Sequence, residues 1–507
     1  MSLAARRGWA LLSGLLLCYS FPNPLALGFQ PWPGWLAWVA LLPLLAAIRG
    51  QEVGGALRLG YLTGLACFLP GLLWLTNVQP LGPGALPAWL ALAAWCALFP
   101  GLFAALAARG RRGAWPLPVL WVPALWTLTE WLRASLLTGF PWIGLGSSQY
   151  ANLALLPLAA LTGLSGLHYA VAFGNVLLYS AFIEQGWMSR WRPSLAALLI
   201  AGALAWGARQ QGHEQAAWDL AHAPGPGSLQ VGVVQPGIDM DQAWNQGFRT
   251  QVLDTELYLS GAAVDQGAQL LLWPESAFPG FFNEGAPEAQ AVKDFARKRK
   301  VRLLIGSTLS EQGYTNSAIF VDLDGNTRSY TKQHLVPFGE YVPFRRWVPV
   351  LDLALERMGL VDFRSGTQGA AFDAGGTAVV PLICYESVFP DLALRGPDPG
   401  LLAVLTVDTW YGRSAGPVWH ASQAALRAVE NGCWVGRAAS TGISLFASPQ
   451  GRITQTLGLG QAGQLVQAIS APRPTPYRHH GDWFLLLCGL TVVITGLFEL
   501  FQKRKNV

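Results

Sequence analysis

Three short stretches of this chain carry side chains suited to acyl transfer. "LLLWPES" delivers Glu275 just after an apolar run. "YTKQHLVPFGEYVP" delivers Lys332 and then Glu340, and "VVPLICYESVFP" delivers Cys384, followed at once by Tyr385 and Glu386. Thiolate, not thiol, is the nucleophile, and a free cysteine is mostly protonated at neutral pH. A base must therefore take the proton, and a carboxylate in a desolvated pocket can have its pKa raised towards neutrality. On this reading Glu275 is the base and Cys384 carries the acyl group as a thioester. Lys332, kept cationic by carboxylates, stabilises the thiolate and the tetrahedral oxyanion. Singly, each residue has an ordinary explanation. Cys384 reads as core, Glu275 as a solvated loop residue, Lys332 as a surface lysine, and Glu340 and Glu386 as ion-pair partners. Their arrival at three separate strand ends, where ligands bind in sheets of this type, argues for a site.

The elements that must position them are legible between about Leu229 and Ala471. Short Val/Ile/Leu runs predict strands at Leu229–Gln235, Gln269–Glu275, Val301–Thr308, Ser317–Gly325, Val379–Glu386, Leu401–Asp408 and Cys433–Ser440. A hairpin with a Pro-Gln-Gly turn follows in "ISLFASPQGRI", and amphipathic helices fit Pro287–Lys300 and Val418–Asn431. Continuous apolar strands are buried on both faces, which predicts an α/β or α+β sandwich of sheets with helices outside. Cys433 precedes a Trp in a strand and reads as core.

The rest of the chain has the composition of a membrane protein. Only 12% of the residues are charged, and almost all acidic ones lie between Glu214 and Asp482. A spanning helix needs about 20 mostly apolar residues. Seven runs approach this before the soluble part: Gly8–Leu25, Trp32–Ile48, Leu59–Asn77, Leu86–Ala108, Trp115–Leu132, Leu164–Ile183 and Ser194–Ala208. An eighth, Trp483–Phe501, follows it. The first has no small-residue cleavage site behind it and reads as a retained helix. Arg6, Arg7, Arg49, Arg58, Arg109, Arg111, Arg112, Arg190, Arg192, Lys503, Arg504 and Lys505 all fall on one side, and the opposite short loops carry none. The positive-inside rule then puts both termini in the cytoplasm and the large segment outside, in the periplasm of a bacterium. Glu130 and Arg133 share a helix face as a pair that is either functional or self-satisfied. The uncharged "LTGFPWIGLGSSQY" after them reads as a loop at the outer bilayer surface, either plain or a floor for lipid. No Lys/Arg cluster interleaved with aromatics suits nucleic acid, and the six cysteines show no metal-ligand spacing.

"WPES", "YTKQHLVPFGEYVP" and "LICYE" resemble the three motifs of the nitrilase superfamily. Beside eight membrane helices, they are similar to those of the bacterial apolipoprotein N-acyltransferases, over nearly the whole chain. The resemblance implies a four-layer αββα domain in the periplasm, at about residues 225–472. A seven-helix membrane domain covers about 1–210, and the eighth helix with a cytoplasmic tail covers 480–507. It implies a Glu275–Lys332–Cys384 triad that passes an acyl chain from a phospholipid to the α-amino group of an apolipoprotein's lipidated N-terminal cysteine. Glu340, Tyr385 and Glu386 fall where the family has further required residues, and Trp244 in "DMDQAWN" matches a family tryptophan near the active site. Trp410 joins them as a candidate contact. The expected agent is a monomer in the inner membrane, without metal or cofactor. A membrane-anchored amidase needs the same triad but not eight helices; a transporter with a sensor domain fits less well, for lack of ionisable residues in the spans and of an inverted repeat.

There are departures from the family pattern. Val407-Asp408 stands where an Asn-Asp pair is expected before Trp410, and His334 stands where other polar residues are common. In an oxidising compartment Cys384 must remain unpaired, so no disulfide to Cys433 is expected. The apolar "FPGFFNEG" after Glu275, the outer loops and Arg345–Phe363 are the candidates for a lipid door or lid.

Overall fold

The computed structural model describes residues 1–23, 33–78, 84–109, 117–182, 228–238, 246–282, 285–310, 313–343, 362–473 and 475–505, with a few isolated positions between them. The chain divides into two compact units. One comprises Met1–Ala217, Ser414–Ser422 and Thr475–Val507, and the other Trp218–Arg413 and Gln423–Pro474.

The first unit is helical. Its helices are α1 (Leu3–Tyr19), α2 (Pro33–Leu36), α3 (Leu42–Ala47), α4 (Val53–Gly71), α5 (Ala85–Arg109), α6 (Leu117–Ser135) and α7 (Pro157–Phe182), with a C-terminal helix at Trp483–Lys505. Among the described residues, three helices are long and apolar enough to cross a membrane: Val53–Gly71, Ala85–Arg109 and Pro157–Ser180. Small residues let them approach closely. A Cβ on Gly64 would stand 2.5 Å from Ala97 Cα, and one on Gly60 would stand 2.3 Å from the Pro100 carbonyl oxygen. Close backbone approach is how apolar helices attract one another where water supplies no drive.

The run Trp32–Ile48, expected as one span, is instead two short helices joined by turns. Pro43 cannot donate to a preceding turn and so opens α3. Buried side chains satisfy the backbone groups freed between α2 and α3. Ser13 Oγ donates to the Ala40 carbonyl (2.5 Å), Asn175 Nδ2 donates to Ala37 (2.8 Å), and Leu41 N–H donates to Asn175 Oδ1 (2.8 Å). The run Ser194–Ala208 lies outside the described residues.

The loop after α6 also departs from expectation. Residues 141–150 are buried within the helical unit rather than spread as an interfacial surface. The buried Glu130–Arg133 pair is the reason. Arg133 donates to Glu130 and to the carbonyls of Phe140 (2.6 Å) and Trp142 (2.5 Å), so the pair pins the loop that follows it.

The second unit is built on two six-stranded sheets. The strands are β1 (Gln230–Gln235), β2 (Leu270–Leu272), β3 (Arg302–Leu309), β4 (Thr315–Val321), β5 (Thr327–Thr331), β6 (Phe372–Asp373), β7 (Ala378–Ile383), β8 (Leu401–Thr406), β9 (Trp434–Ala439), β10 (Ser444–Ala447), β11 (Ile453–Leu457) and β12 (Gly463–Ala468). Their orders are β12-β1-β2-β3-β4-β5 and β11-β10-β9-β8-β7-β6. Each sheet has three central parallel strands, β1-β2-β3 or β7-β8-β9. Each continues as an antiparallel hairpin on one side and has one antiparallel strand on the other. The sheets are thus two copies of one plan, a repeat that residue identity conceals.

Strand alternation sorts the core. Val231, Val233, Leu272 and Leu304 face the opposite sheet, where they meet Val379, Ile383, Leu405 and Phe446. Val234, Leu271, Leu303 and Ile305 face the other way, onto helices α8 (Arg249–Asp265) and α9 (Pro287–Arg299). A further helix, α10 (Gly416–Asn431), follows β8. Phe278 and Phe282 of "FPGFFNEG" belong to the helix–sheet core and are 2% and 5% exposed, which removes them as a door; Phe281 stacks on Tyr314 at 5.6 Å. Most of Arg345–Phe363 lies outside the described residues.

Candidate active site

Glu275 follows β2 on a turn in which Ser276 adopts a positive φ of 54°. The turn presses on β3: a Cβ at Gly306 would stand 2.2 Å from the Pro274 oxygen and 2.4 Å from Glu275 Cα, so only glycine fits there. Gly306→Ala therefore displaces Glu275. The expected result is a folded protein in which catalysis that relies on Glu275 slows about 10²-fold, since a misplacement near 1 Å costs that much. Single-turnover kinetics of the variant, beside its circular dichroism, check this.

Lys332 leaves the end of β5, and its backbone N–H donates to the Asn316 carbonyl on β4 (2.9 Å). Its ammonium is 1% exposed and bridges two carboxylates, Glu340 Oε1 at 2.9 Å and Glu275 Oε1 at 3.3 Å. Asn316 Nδ2 bridges the same two oxygens, at 2.7 and 2.6 Å. Glu340 Oε2 also accepts from Val336 N–H (2.7 Å), closing the tight turn that carries it. Burial alone would push the Lys332 ammonium down. Glu275, Glu340 and Cys384 reverse this and raise it above its ordinary value, so it stays cationic.

Cys384 directly follows β7 with a positive φ of 50°, rare for a residue with a side chain. Such strain persists only where surroundings over-determine it. Glu386 does much of that. It is fully buried, and its carboxylate accepts from Ile383 N–H (2.7 Å), Gln333 N–H (2.6 Å), His334 N–H (3.2 Å) and Tyr330 O–H (2.8 Å). It thus ties the turn behind the thiol to the segment after Lys332. Ser387 Oγ donates to the Cys384 carbonyl (2.8 Å). The thiol lies close enough to Glu275 and Lys332 to sense both charges. Burial and then Glu275 push it above its ordinary value, and Lys332 and a Thr406 hydrogen bond oppose them without cancelling them. The resting group is a neutral thiol.

Glu275, Lys332, Glu340 and Cys384 therefore converge. Tyr385 is buried beside them in an aromatic cluster with His334 (5.6 Å) and Phe389 (4.9 Å). Trp410 is half-buried on the short turn after β8; its neighbour Tyr411 is buried near enough to Cys384 to sense it. Trp244 lies outside the described residues. Val407, the departure from the Asn-Asp pattern, has a simple account. It serves Glu275 through its backbone N–H, which donates to Oε2 at 3.1 Å and which any residue but proline supplies. Asp408 is held by Arg437 through both oxygens at 2.9 Å. Sequence reasoning missed Asn316, Gly306 and Tyr411. Strand β4 opens on three polar residues, Thr315, Asn316 and Ser317, so nothing in its pattern singled Asn316 out. All six cysteines are free thiols, and Cys433 is fully buried.

Such a set can take a proton from sulfur, hold an oxyanion and exchange acyl groups. Residues 13–177 match the model of the apolipoprotein N-acyltransferase N-terminal domain, and residues 230–479 match that of the carbon-nitrogen hydrolases. A nitrilase-superfamily amidase from Nesterenkonia is 22% identical, covering 50% of this chain and 95% of that one, with a TM-score of 0.37. The apolipoprotein N-acyltransferase of Rhodopseudomonas palustris is 30% identical, covering 98% of this chain and 96% of that protein. That of Geobacter metallireducens is 34% identical over 526 residues, covering 98% of this chain and 95% of that protein. The chain belongs to the apolipoprotein N-acyltransferases, acyltransferases that carry a carbon-nitrogen hydrolase domain.

Proposed function

We propose that this protein moves an acyl chain from a membrane phospholipid to the α-amino group of the N-terminal diacylglyceryl-cysteine of an apolipoprotein, through a thioester on Cys384. The observation that carries the reading is the convergence of a buried thiol, ammonium and carboxylate at three strand ends. Glu275 takes the Cys384 proton as sulfur attacks the ester carbonyl carbon of the lipid. Lys332 faces the oxyanion of the tetrahedral intermediate. The C–O bond breaks, the proton passes from Glu275 to the departing lysolipid oxygen, and the thioester remains. The amine of the second substrate then attacks the same carbon, Glu275 receives its proton, the C–S bond breaks, and the thiolate recovers the proton.

Glu340 holds Lys332 in place, and Glu386 holds the Cys384 turn. Tyr385 and Trp410 complete the substrate walls, and Trp244 is a further substrate-binding residue by its match to the family pattern. The donor explains the helices: exposing an acyl chain to water costs about 0.8 kcal/mol per CH₂, so donor and enzyme meet at a bilayer. The chain crosses the inner membrane eight times, the second crossing being the broken pair α2 and α3. Both termini are cytoplasmic, the sandwich at about 225–472 is periplasmic, and the enzyme works as a monomer. The asymmetry of Lys and Arg between loops supports that topology.

Intact-mass spectrometry tests the reading. Purified full-length protein given phospholipid should gain one acyl mass on Cys384 and lose it when a diacylglyceryl peptide with a free amine is added, the peptide gaining the same mass. If the adduct instead decays to free acid at one rate with or without the peptide, the enzyme is a hydrolase and the proposal fails.

A further inference from the structure

A second carboxyl group, unused by the mechanism above, lies behind Glu275. Glu256 sits in the middle of α8, which packs on β1 and β12, and it is fully buried. Neither of its carboxyl oxygens has a hydrogen-bond partner among the described residues. Glu256, Glu275 and Ser440 line one small cavity together with Pro236, Val252 and Val407. The Ser440 hydroxyl is also buried and has no partner among the described residues. Measured to the centre of a water-sized sphere, the cavity volume is about 10 Å³, room for about one water. Buried polar atoms are nearly always paired, with protein or with ordered water, and an internal water needs two to four partners. This cavity supplies them.

We propose that Glu256 and Ser440 hold an internal water against the Glu275 carboxylate, which makes Glu256 a positioning residue for the base. The inference rests on the reading of Glu275 as that base. Glu275 has room for the contact: Oε1 accepts from Asn316 and Lys332, whereas among the described residues Oε2 accepts from Val407 N–H alone. Among the described residues, Glu275 is the only other ionisable group lining the cavity, and Lys332 and Glu340 stand at its Oε1 side. Burial pushes the Glu256 carboxyl well above its ordinary range, with no neighbouring charge contributing. Glu256 is therefore a neutral acid. Its O–H donates to the water, Ser440 anchors the water, and the water donates to Glu275. That donor favours ionised Glu275, the form able to take a proton from Cys384.

The test measures single-turnover acylation of the full-length protein by phospholipid across a pH range. Glu256→Leu, which removes the donor, should slow acylation about tenfold and move the acid limb of the pH profile to higher pH. Glu256→Gln, which keeps a neutral donor, should recover most of the rate and the limb. Ser440→Ala should shift the limb in the same direction by less, and covers the case in which Glu256→Leu fails to fold. A purely structural role for Glu256 would leave the limb unmoved. Glu256→Leu or Ser440→Ala with an unshifted limb overturns the inference, as does Glu256→Gln as impaired as Glu256→Leu, because the group would then act as an anion. Glu275→Gln run in parallel separates the two readings. If it acylates normally, the base assignment itself fails; if it is inert while Glu256→Leu is normal, only this inference falls.

Discussion

Cys384→Ala leaves a folded protein that never gains an acyl mass and whose transfer activity falls by on the order of 10⁴-fold or more. The side chain is small, and Glu386 ties the turn through backbone groups that the substitution leaves in place. Stability at neutral pH should therefore change by about 1 kcal/mol. The same variant reports the state of the thiol. In the folded protein the thiol ionises above its ordinary value of 9.0, raised by burial and by Glu275. Above about pH 9 the unfolded chain releases this proton while the folded chain keeps it, so ν_U is less than ν_N and stability falls as pH rises. Cys384→Ala removes that loss. Its stability relative to the parent should rise by about 1.4 kcal/mol per pH unit above pH 9 and stay flat below it. Denaturant titrations at several pH values measure this, and a difference independent of pH would mean that folding does not raise the thiol.

Lys332→Met strikes fold and chemistry together. Without the ammonium, Glu275 and Glu340 share a buried site with Asn316 as the common donor. Removing one partner of a buried ion cluster costs about 3–5 kcal/mol, because the charges left behind are uncompensated. Acylation should fall by about 10³-fold, the scale of losing an oxyanion-stabilising group. Two carboxylates this close repel one another once the cation between them is gone. Adding Glu340→Gln should recover much of the stability and none of the acylation. Recovery of both would mean that Lys332 is there only to neutralise Glu340.

The local elements were legible where periodicity is clean. The apolar strands and the helix Pro287–Arg299 fall within a few residues of expectation. Helix α8 did not announce itself, and its buried face shows why. Val252, Leu253, Glu256, Leu259, Ser260 and Ala263 keep helical spacing, but two of the six are polar and spoil the apolar stripe. Strand β5 buries Tyr330 amid partly exposed polar neighbours, so it too lacked a signal. The second membrane run read as one helix because its turns are as apolar as helices. Their backbone groups are satisfied by Ser13 and Asn175, from elsewhere in the chain.

The sequence by itself determined which chemistry is available: a carboxylate and a thiol, each following an apolar strand, and an ammonium between them in the chain, beside runs of residues that water excludes. Tertiary structure alone decided how those groups share protons and charge. Glu275 meets Asn316 across 41 residues of sequence and Val407 across 132, and Glu386 reaches back to Tyr330 across 56. Residue type and spacing encode what a segment does within its own helix or strand. Which carboxylate receives which N–H depends on the order of strands in the sheets, and that order is set by burying two apolar faces at once, a property of the whole chain.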